Sequence, residues 1–346
     1  MKSELLTREQ FRELSLKRDK AQCVVCGAKE NLSVHHILNR NLFLDGGYYL
    51  NNGVTLCDPH HLEAEKTLIP CQKLRELAKI TQKVFPEHLA TDTDYDTWGN
   101  PVLTNGMRLK GELFFEPQVQ TILQPLMYLF LDKVKYSRTL HFPWSPGLQN
   151  DDRVMHPSIL ENLNKTTPEV VVSVKMDGEN TTIYKDYVHA RSTDYEPHPS
   201  RTWIKALQGR IGHLIPEGWR ICGENLFAKH SIAYNNLSDY FMVFSIWNEK
   251  NLCLSWDETL EWTELLDLKT VPILYRGPWN QELIKGLYQS EFQENECEGY
   301  VVRLAKEFYY KSFQNSCWKF VRASHVQTDE HWMRQKVIPN KLKQEK

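Results

Sequence analysis

Phe11, Leu14 and Leu16 follow Thr7 and Gln10, whose three-residue spacing fits a capping box, so residues 7–18 are expected to form a helix. From His61 through Leu74, Leu77 and Ile80 a second helical pattern covers 61–83, kinked at Pro70, which has no N–H to donate. Residues 86–111 carry Asp92, Asp94, Asp96, Gly99, Asn100 and Pro101 with little periodicity and read as a linker. Apolar positions return at 113–131, which predicts a short helix, and Phe142-Pro143-Trp144-Ser145-Pro146-Gly147 predicts a loop. From Glu169 onward the texture changes. Strand patterns at 170–174, 181–184, 219–222, 241–247, 271–275, 300–302 and 318–321 alternate with helical ones at 203–214, 257–268 and 281–292. The pattern predicts the α+β class.

With 346 residues, the chain fits two domains better than one. No run approaches the roughly 18 apolar residues of a membrane span, so no membrane partner is expected. Residues 1–9 lack the apolar core of a signal peptide, and a cytoplasmic address is expected. The formal net charge of −2 does not announce a nucleic-acid binder, although a neutral sum can hide a basic groove. Eight cysteines are too sparse for a disulfide scaffold, and two of them form Cys23-x-x-Cys26, which in a reducing compartment suggests metal.

Cys23 and Cys26 are followed about thirty residues later by Cys57-x-x-His60. Two short chelating turns of this kind can close a tetrahedral Zn2+ site, and a segment of some forty residues that cannot bury much core has a use for one. The bland alternative is four small buried residues. Around these turns stand His35-His36-Ile37, Gly46-Gly47, Asn52-Gly53-Val54 and His61. Over residues 20–67 this set resembles the HNH endonuclease family, with its small ββα-metal fold. The resemblance implies that His36 is the general base, His35 and His61 hold a catalytic divalent ion, Asn52 orients the loop carrying His36, and Cys23, Cys26, Cys57 and His60 bind structural zinc. His35 stands where many members carry Asp, and His60 where Cys is commoner. A module that keeps only nucleic-acid binding is the alternative.

Lys175-Met176-Asp177-Gly178-Glu179-Asn180 directly follows the apolar strand at 170–174. A partly desolvated lysine near cationic groups is expected to have a lowered pKa and can attack phosphorus; a surface lysine in an exposed turn is the alternative for this motif alone. In order behind it come Arg191 in His189-Ala190-Arg191-Ser192, Glu224 in Cys222-Gly223-Glu224-Asn225, Phe244 in Val243-Phe244-Ser245, Glu298 in Cys297-Glu298-Gly299-Tyr300, and Lys319 in Trp318-Lys319-Phe320. This ordered set resembles ATP-dependent RNA ligases of the covalent nucleotidyltransferase superfamily, in particular the phage-type enzymes that seal nicks in duplex RNA and their bacterial relatives. The resemblance spans 136–335, from the Tyr136–Trp144 approach to a His325-Val326-Gln327-Thr328-Asp329 exit. It implies that Lys175 becomes lysyl-AMP, Asn180 and Arg191 contact phosphate and nucleic-acid ends, Glu224 binds the ribose and Phe244 stacks on adenine. Glu298 helps position Mg2+ or Mn2+, and Lys319 neutralises the α-phosphate. Many relatives carry Lys-x-Lys in the last motif; here Cys317 takes the first place, and Lys311 or Arg322 is expected to assist. Capping guanylyltransferases share the lysine motif, but the flanking sequence fits ligases better.

The expected organisation is an HNH-like domain at 1–85, a linker with a helical segment at 86–135, and a ligase domain at 136–346 built on an ATP-grasp-like antiparallel sheet. No OB-fold appendage is expected after it, only a basic tail (Lys341, Lys343, Lys346). The cofactors implied are ATP, Mg2+ or Mn2+, and Zn2+. The implied partner is nucleic acid, RNA or an RNA-containing duplex, with the protein acting as a monomer.

Overall fold

The computed structural model describes residues 4–89, 91–148, 152–191, 198–292, 295–323 and 337–343. The expected exit at His325–Asp329, with Ser192 and Lys346, lies outside them. The chain is mixed α+β and divides into two units, 1–135 and 136–346. Among the described residues no helix is long and apolar enough to cross a membrane.

Unit 1 opens with α1 (Arg8–Arg18), whose capping box is the expected Thr7–Gln10 pair and which buries Phe11 and Ser15. Strands β1 (Leu32–His36) and β2 (Gly53–Cys57) pair antiparallel, with His36 opposite Gly53 and Leu32 opposite Cys57. Helix α2 (Asp58–Glu65) starts where β2 ends, with Pro59 in its first turn. The helix expected over 61–83 is two pieces: α3 (Cys71–Leu77) begins only after Pro70, its N-cap.

The stretch expected as a linker is folded. Residues 94–134 supply β3 (Asp94–Tyr95), β4 (Pro101–Val102), β5 (Arg108–Lys110), α4 (Pro117–Leu123) and β6 (Phe130–Val134), and the four strands form one sheet. The helix expected across 113–131 is thus confined to its middle, with a 3-10 turn at 124–129 before β6. Tyr95, Trp98, Leu113 and Phe114 share one buried cluster with Cys23, Leu38, Leu56 and Cys57. The polar composition that suggested a linker belongs to a buried network. Asp96 accepts hydrogen bonds from the N–H groups of Trp98 and Asn100 and from Asn100 Nδ2, and Arg108 Nη1 donates to it at 3.3 Å.

Among the described residues unit 2 holds two large sheets and one small one. Strands β7 (Leu140–His141), β8 (Glu169–Val174), β15 (Ile273–Pro278), β18 (Gly299–Leu304) and β20 (Cys317–Val321) form the order β15-β8-β18-β20-β7. The other large sheet runs β10-β9-β11-β12-β13-β19, built from β9 (Glu179–Ile183), β10 (Val188–Ala190), β11 (Arg220–Asn225), β12 (Phe241–Trp247), β13 (Leu252–Cys253) and β19 (Phe308–Tyr309). β14 (Lys269–Thr270) joins β12 in parallel. Helix α6 (Thr202–Ile211) packs Ile204, Leu207 and Ile211 against Ile183, Ile221 and Val243 of this sheet. Helices α5 (Pro157–Thr166) and α7 (Trp256–Leu265) complete the unit with α8 (Gln281–Lys285), which ends well short of the expected 292; Glu291–Phe292 is a strand, β16, paired with β17 (Asn295–Glu296).

Candidate active site and metal centre

Residues two apart in a strand share a face. On β8 this sets Val171 and Ser173 on one face, with Lys175 next in line just past the strand's end; on β18 it aligns Val301 and Arg303, and on β20 Cys317 and Lys319. Registers bring Val301 opposite both Ser173 and Lys319. All seven line one cavity of about 560 Å³, and the facing sheet contributes Asn180, Arg191, Glu224, Phe244 and Ser245. On that sheet Glu224 is in register with Asn180. Of the seven expected ligase residues, six therefore line the cavity. The seventh, Glu298, lies at its lysine: Glu298 Oε2 is 2.5 Å from Lys175 Nζ.

Two glycines permit this closeness. A Cβ on Gly178 would stand 2.5 Å from the Asn225 carbonyl oxygen and 3.1 Å from Glu224 Cγ, while the Gly178 N–H donates to Glu224 Oε1 at 3.1 Å. A Cβ on Gly299 would stand 1.9 Å from the Phe320 carbonyl oxygen, inside any allowed contact. Asp177 is fixed as well: its N–H donates to Tyr234 Oη and its Oδ2 accepts from the Ile232 N–H at 2.7 Å.

The electrostatics overturn one expectation. Burial works against the Lys175 ammonium, but Glu298, Glu224 and Asp177 together outweigh it and hold the amine above its ordinary range. The charges that dominate around it are carboxylates and outweigh the nearby cation Lys319. The carboxylates respond in kind. Burial, with Glu298 and Asp177 nearby, pushes Glu224 up to about 8 against the pull of Lys175. Burial and Glu298 push Asp177 up to about 6. Lys319 is the amine with a lowered pKa, to about 8, by burial and then by Lys175. Lys311 and Arg322 do not supply the second cation. Neither lines the cavity; Lys311 lies over the Tyr309 ring and Arg322 donates to Glu296 Oε2. Cys317 lines the cavity as a buried thiol, pushed up to about 12 by burial.

Among residues not anticipated, Asp152 stands 3.3 Å from Lys319 Nζ, and Arg201 lines the cavity while pairing with Glu179 through a buried two-oxygen contact. Asp152 is 167 positions from Lys319 in sequence, and the pairing of β7 with β20, together with the His141 N–H on the Arg153 carbonyl, brings it in. Arg303 is held by the Leu254 and Phe244 carbonyls at 2.7 and 3.3 Å, and it lies over the Trp256 and Phe308 rings.

In unit 1 the ligand atoms of Cys23, Cys26, Cys57 and His60 all lie within 4.8 Å of one another. Cys57 Sγ is 3.1 Å and Cys23 Sγ 3.6 Å from His60 Nδ1, and Cys26 and Cys57 sulfurs are 3.7 Å apart. Ligands about 2.3 Å from a common centre at tetrahedral angles stand about this far apart, so this donor set fits zinc. Burial pushes the Cys23 thiol up, but N–H groups at Cys57, Cys26 and Val25 outweigh it and bring it down to about 7.

His60 and His61 are consecutive in the first turn of α2, about 100° apart around its axis, so they serve different places. His61 lies edge-on to His35 at 4.9 Å between ring centroids, and its Nδ1 is 2.6 Å from Ser33 Oγ. His35 Nε2 and His36 Nε2 are buried without a hydrogen-bond partner among the described residues. Burial brings His35 down to about 3 and His36 to about 4, so both rings are neutral near pH 7. The His36 ring stacks on Phe11 at 4.6 Å, with Tyr48 edge-on. Asn52 is buried; its Oδ1 accepts from the Leu38 N–H and its Nδ2 donates to the carbonyls of Leu38 and Gly47.

Residues 168–321 match the RNA ligase family model, a span that contains all seven cavity-associated residues of the ordered set and none of unit 1. No curated protein gives a significant match. Solved structures similar to the chain include a point mutant of Naegleria gruberi RNA ligase with AMP and Mn, 18% identical, over 48% of this chain and 52% of that one, TM-score 0.35. A second such mutant, with ATP and Mn, is 18% identical over 53% and 56%, TM-score 0.36. A putative ATP-dependent DNA ligase from Aquifex aeolicus is 22% identical over 47% of each chain, TM-score 0.32. The chain spans about half the length of these three structures.

Proposed function

We propose that unit 2 is an ATP-dependent polynucleotide ligase that joins 3′-hydroxyl and 5′-phosphate ends, with RNA or an RNA-containing nick as substrate. One observation carries the reading: the Lys175 amine opens onto a 560 Å³ cavity shared by Glu224, Phe244 and Lys319. Lys175 Nζ attacks the α-phosphorus of ATP. The bond to pyrophosphate breaks and pyrophosphate takes the electron pair; the lysine ammonium gives up two protons to solvent and keeps one N–H as the phosphoramidate. AMP then passes to a 5′-phosphate, and a 3′-hydroxyl displaces it. Phe244 offers a face for adenine, Glu224 acceptors for the ribose hydroxyls, and Lys319 a cation for the α-phosphate. Asn180 and Arg191, at the cavity wall, serve the phosphate and the nucleic-acid ends. The carboxylates of Glu298, Glu224 and Asp177 are hard oxygen donors suited to Mg2+ or Mn2+, which when bound supplies positive charge at the phosphates. Incubation with α-labelled ATP and magnesium is expected to leave one covalent label, absent from Lys175→Ala. An unlabelled wild type, or a label that survives in Lys175→Ala, overturns the reading. GTP in place of ATP tests the guanylyltransferase alternative, and nicked duplexes with RNA or DNA on each strand identify the substrate.

For unit 1 the reading supported best is an HNH-like ββα module stapled by zinc at Cys23, Cys26, Cys57 and His60. The close approach of His35 and His61, with His35 Nε2 buried and without a hydrogen-bond partner among the described residues, supports a divalent ion held by this pair. His36 is then the base for a nucleolytic water, and the Asn52 contacts to Leu38 and Gly47 brace the loop that follows it. Metal-dependent cleavage of DNA or RNA that is lost in His36→Ala supports the nuclease. Equal inactivity of both proteins across magnesium, manganese and zinc leaves a zinc-stapled module that binds nucleic acid.

A further inference from the structure

Only one lysine faces the cavity from β20, because position 317 is cysteine, and the surroundings of that lysine are unusual. Lys319 Nζ and His141 Nε2 share a single carboxylate oxygen, Asp152 Oδ1, at 3.3 and 3.0 Å. His141 lies beside Lys319 because β7 pairs in parallel with β20, His141 in register with Lys319. The ring is 1% exposed and its far side is fixed too: His141 Nδ1 is 2.8 Å from Ser145 Oγ, which accepts the Val321 N–H at 2.9 Å. Ser145 Oγ in turn donates to the Val321 carbonyl at 3.2 Å, and burial holds the ring below its ordinary pKa. The backbone that carries Asp152 is held against β7 by the His141 N–H on the Arg153 carbonyl and the Met155 N–H on the His141 carbonyl, both 2.8 Å. Lys319, Asp152, His141, Ser145 and the Val321 backbone thus close a ring of contacts that begins and ends on β20.

We propose that Asp152, held by His141, is a positioning residue that keeps the Lys319 ammonium charged and aimed at the cavity. This rests on the ligase reading, in which Lys319 faces the α-phosphate. Apart from Asp152 and His141, the charged groups bearing on Lys319 are Lys175, beside its partner Glu298 at the end of β8, and Arg191 beyond β10; both cations disfavour a further positive charge. Asp152 is the counter-charge in direct contact. Where a second lysine is missing, the charge of the remaining one matters more, and a fixed carboxylate retains it at little reorganisation cost.

The test uses the full chain and two readouts. Competitive acetylation of amines between pH 6 and 10, followed by peptide mass spectrometry, reports the titration of Lys319 without requiring any activity. In Asp152→Asn, close in shape and uncharged, its midpoint is expected to fall by about one pH unit. Single-turnover transfer of α-labelled AMP to the protein at pH 8 is expected to fall about tenfold. Where Asp152→Asn melts far below the wild type, His141→Gln is read instead, with a smaller shift in the same direction. An unchanged Lys319 midpoint overturns the proposal, and so does a shifted midpoint with unaltered AMP transfer. A wild type that takes no label overturns the ligase reading, while the acetylation midpoint still reports whether Asp152 governs the Lys319 charge.

Discussion

Glu224 has the most informative charge in the cavity, because it is pushed up to about 8 first by burial and then by two other carboxylates. A carboxyl whose pKa is higher folded than unfolded gives stability that is fully present below its ordinary value of about 4.3 and is lost as pH rises through the folded value. Between pH 5 and 9, therefore, the wild type is expected to lose stability relative to Glu224→Gln. The attraction of the Lys175 ammonium for the Glu224 carboxylate grows as Glu224 ionises and is already contained in the folded value of about 8, since Lys175 remains protonated throughout. The stability difference between the two proteins is expected to move by roughly 4 kcal/mol in favour of Glu224→Gln across the window. Paired thermal melts at several pH values check it, and a pH-independent difference refutes it. Gly178 gives a second residue-level outcome. Gly178→Ala sets a Cβ against the Asn225 carbonyl, which sits in a strand and cannot swing away, so a loss of about 1–3 kcal/mol in urea unfolding is expected together with loss of AMP transfer. The residue types at these positions were readable from the chain, since lysine, glutamate and glycine in this order suit phosphoryl transfer. The charge environment was not. Lys175 meets Glu298 across 123 positions of sequence, so whether its neighbours raise or lower its pKa depends on pairings that no local pattern encodes.

Elements differ in how plainly they are written. β8 and β18 alternate or run apolar over six residues, and the patterns at 170–174 and 300–302 marked them to within two residues at either end. The sheet at 94–134 escaped because β3 and β4 are two residues long and β5 three, too short for any period to show. Its polar residues suggested exposure, but Asp96, Asn100 and Arg108 are buried because they satisfy one another. Asp96→Ala would leave the Arg108 guanidinium buried without this carboxylate and orphan the Trp98 and Asn100 donors. A loss of about 3–4 kcal/mol is expected for unit 1, far more than an exposed linker aspartate would give. Urea unfolding followed by Trp98 fluorescence measures it, and a change below about 0.5 kcal/mol would mean the network contributes little.

At the scale of the whole molecule the consequence concerns zinc. The spacing of Cys23, Cys26, Cys57 and His60 was readable, but the reason expected for a staple, a forty-residue island with little core, does not hold. The cluster around Cys23 and Cys57 continues through Leu74, Leu89, Trp98, Phe114 and Leu123. An isolated finger of that size unfolds without its metal, because the binding free energy is then the folding free energy. A module with a core this extensive retains apolar burial when zinc leaves, at roughly 25 cal/mol for each Å² kept from water. What it loses, if the four ligands hold zinc as proposed, is the tie between the Cys23–Cys26 turn and the junction of β2 with α2. Removal of zinc by a chelator, with magnesium restored afterwards, is therefore expected to lower the melting temperature of unit 1 by about 10 °C or more while a cooperative transition persists. Hydrogen exchange should rise sharply in peptides covering 20–30 and 55–65 and much less in those covering 108–123. Uniform exchange across unit 1 after chelation would mean that the metal, and not the packed side chains, holds this unit together. An unchanged melt would mean that the four ligands are buried together for packing alone.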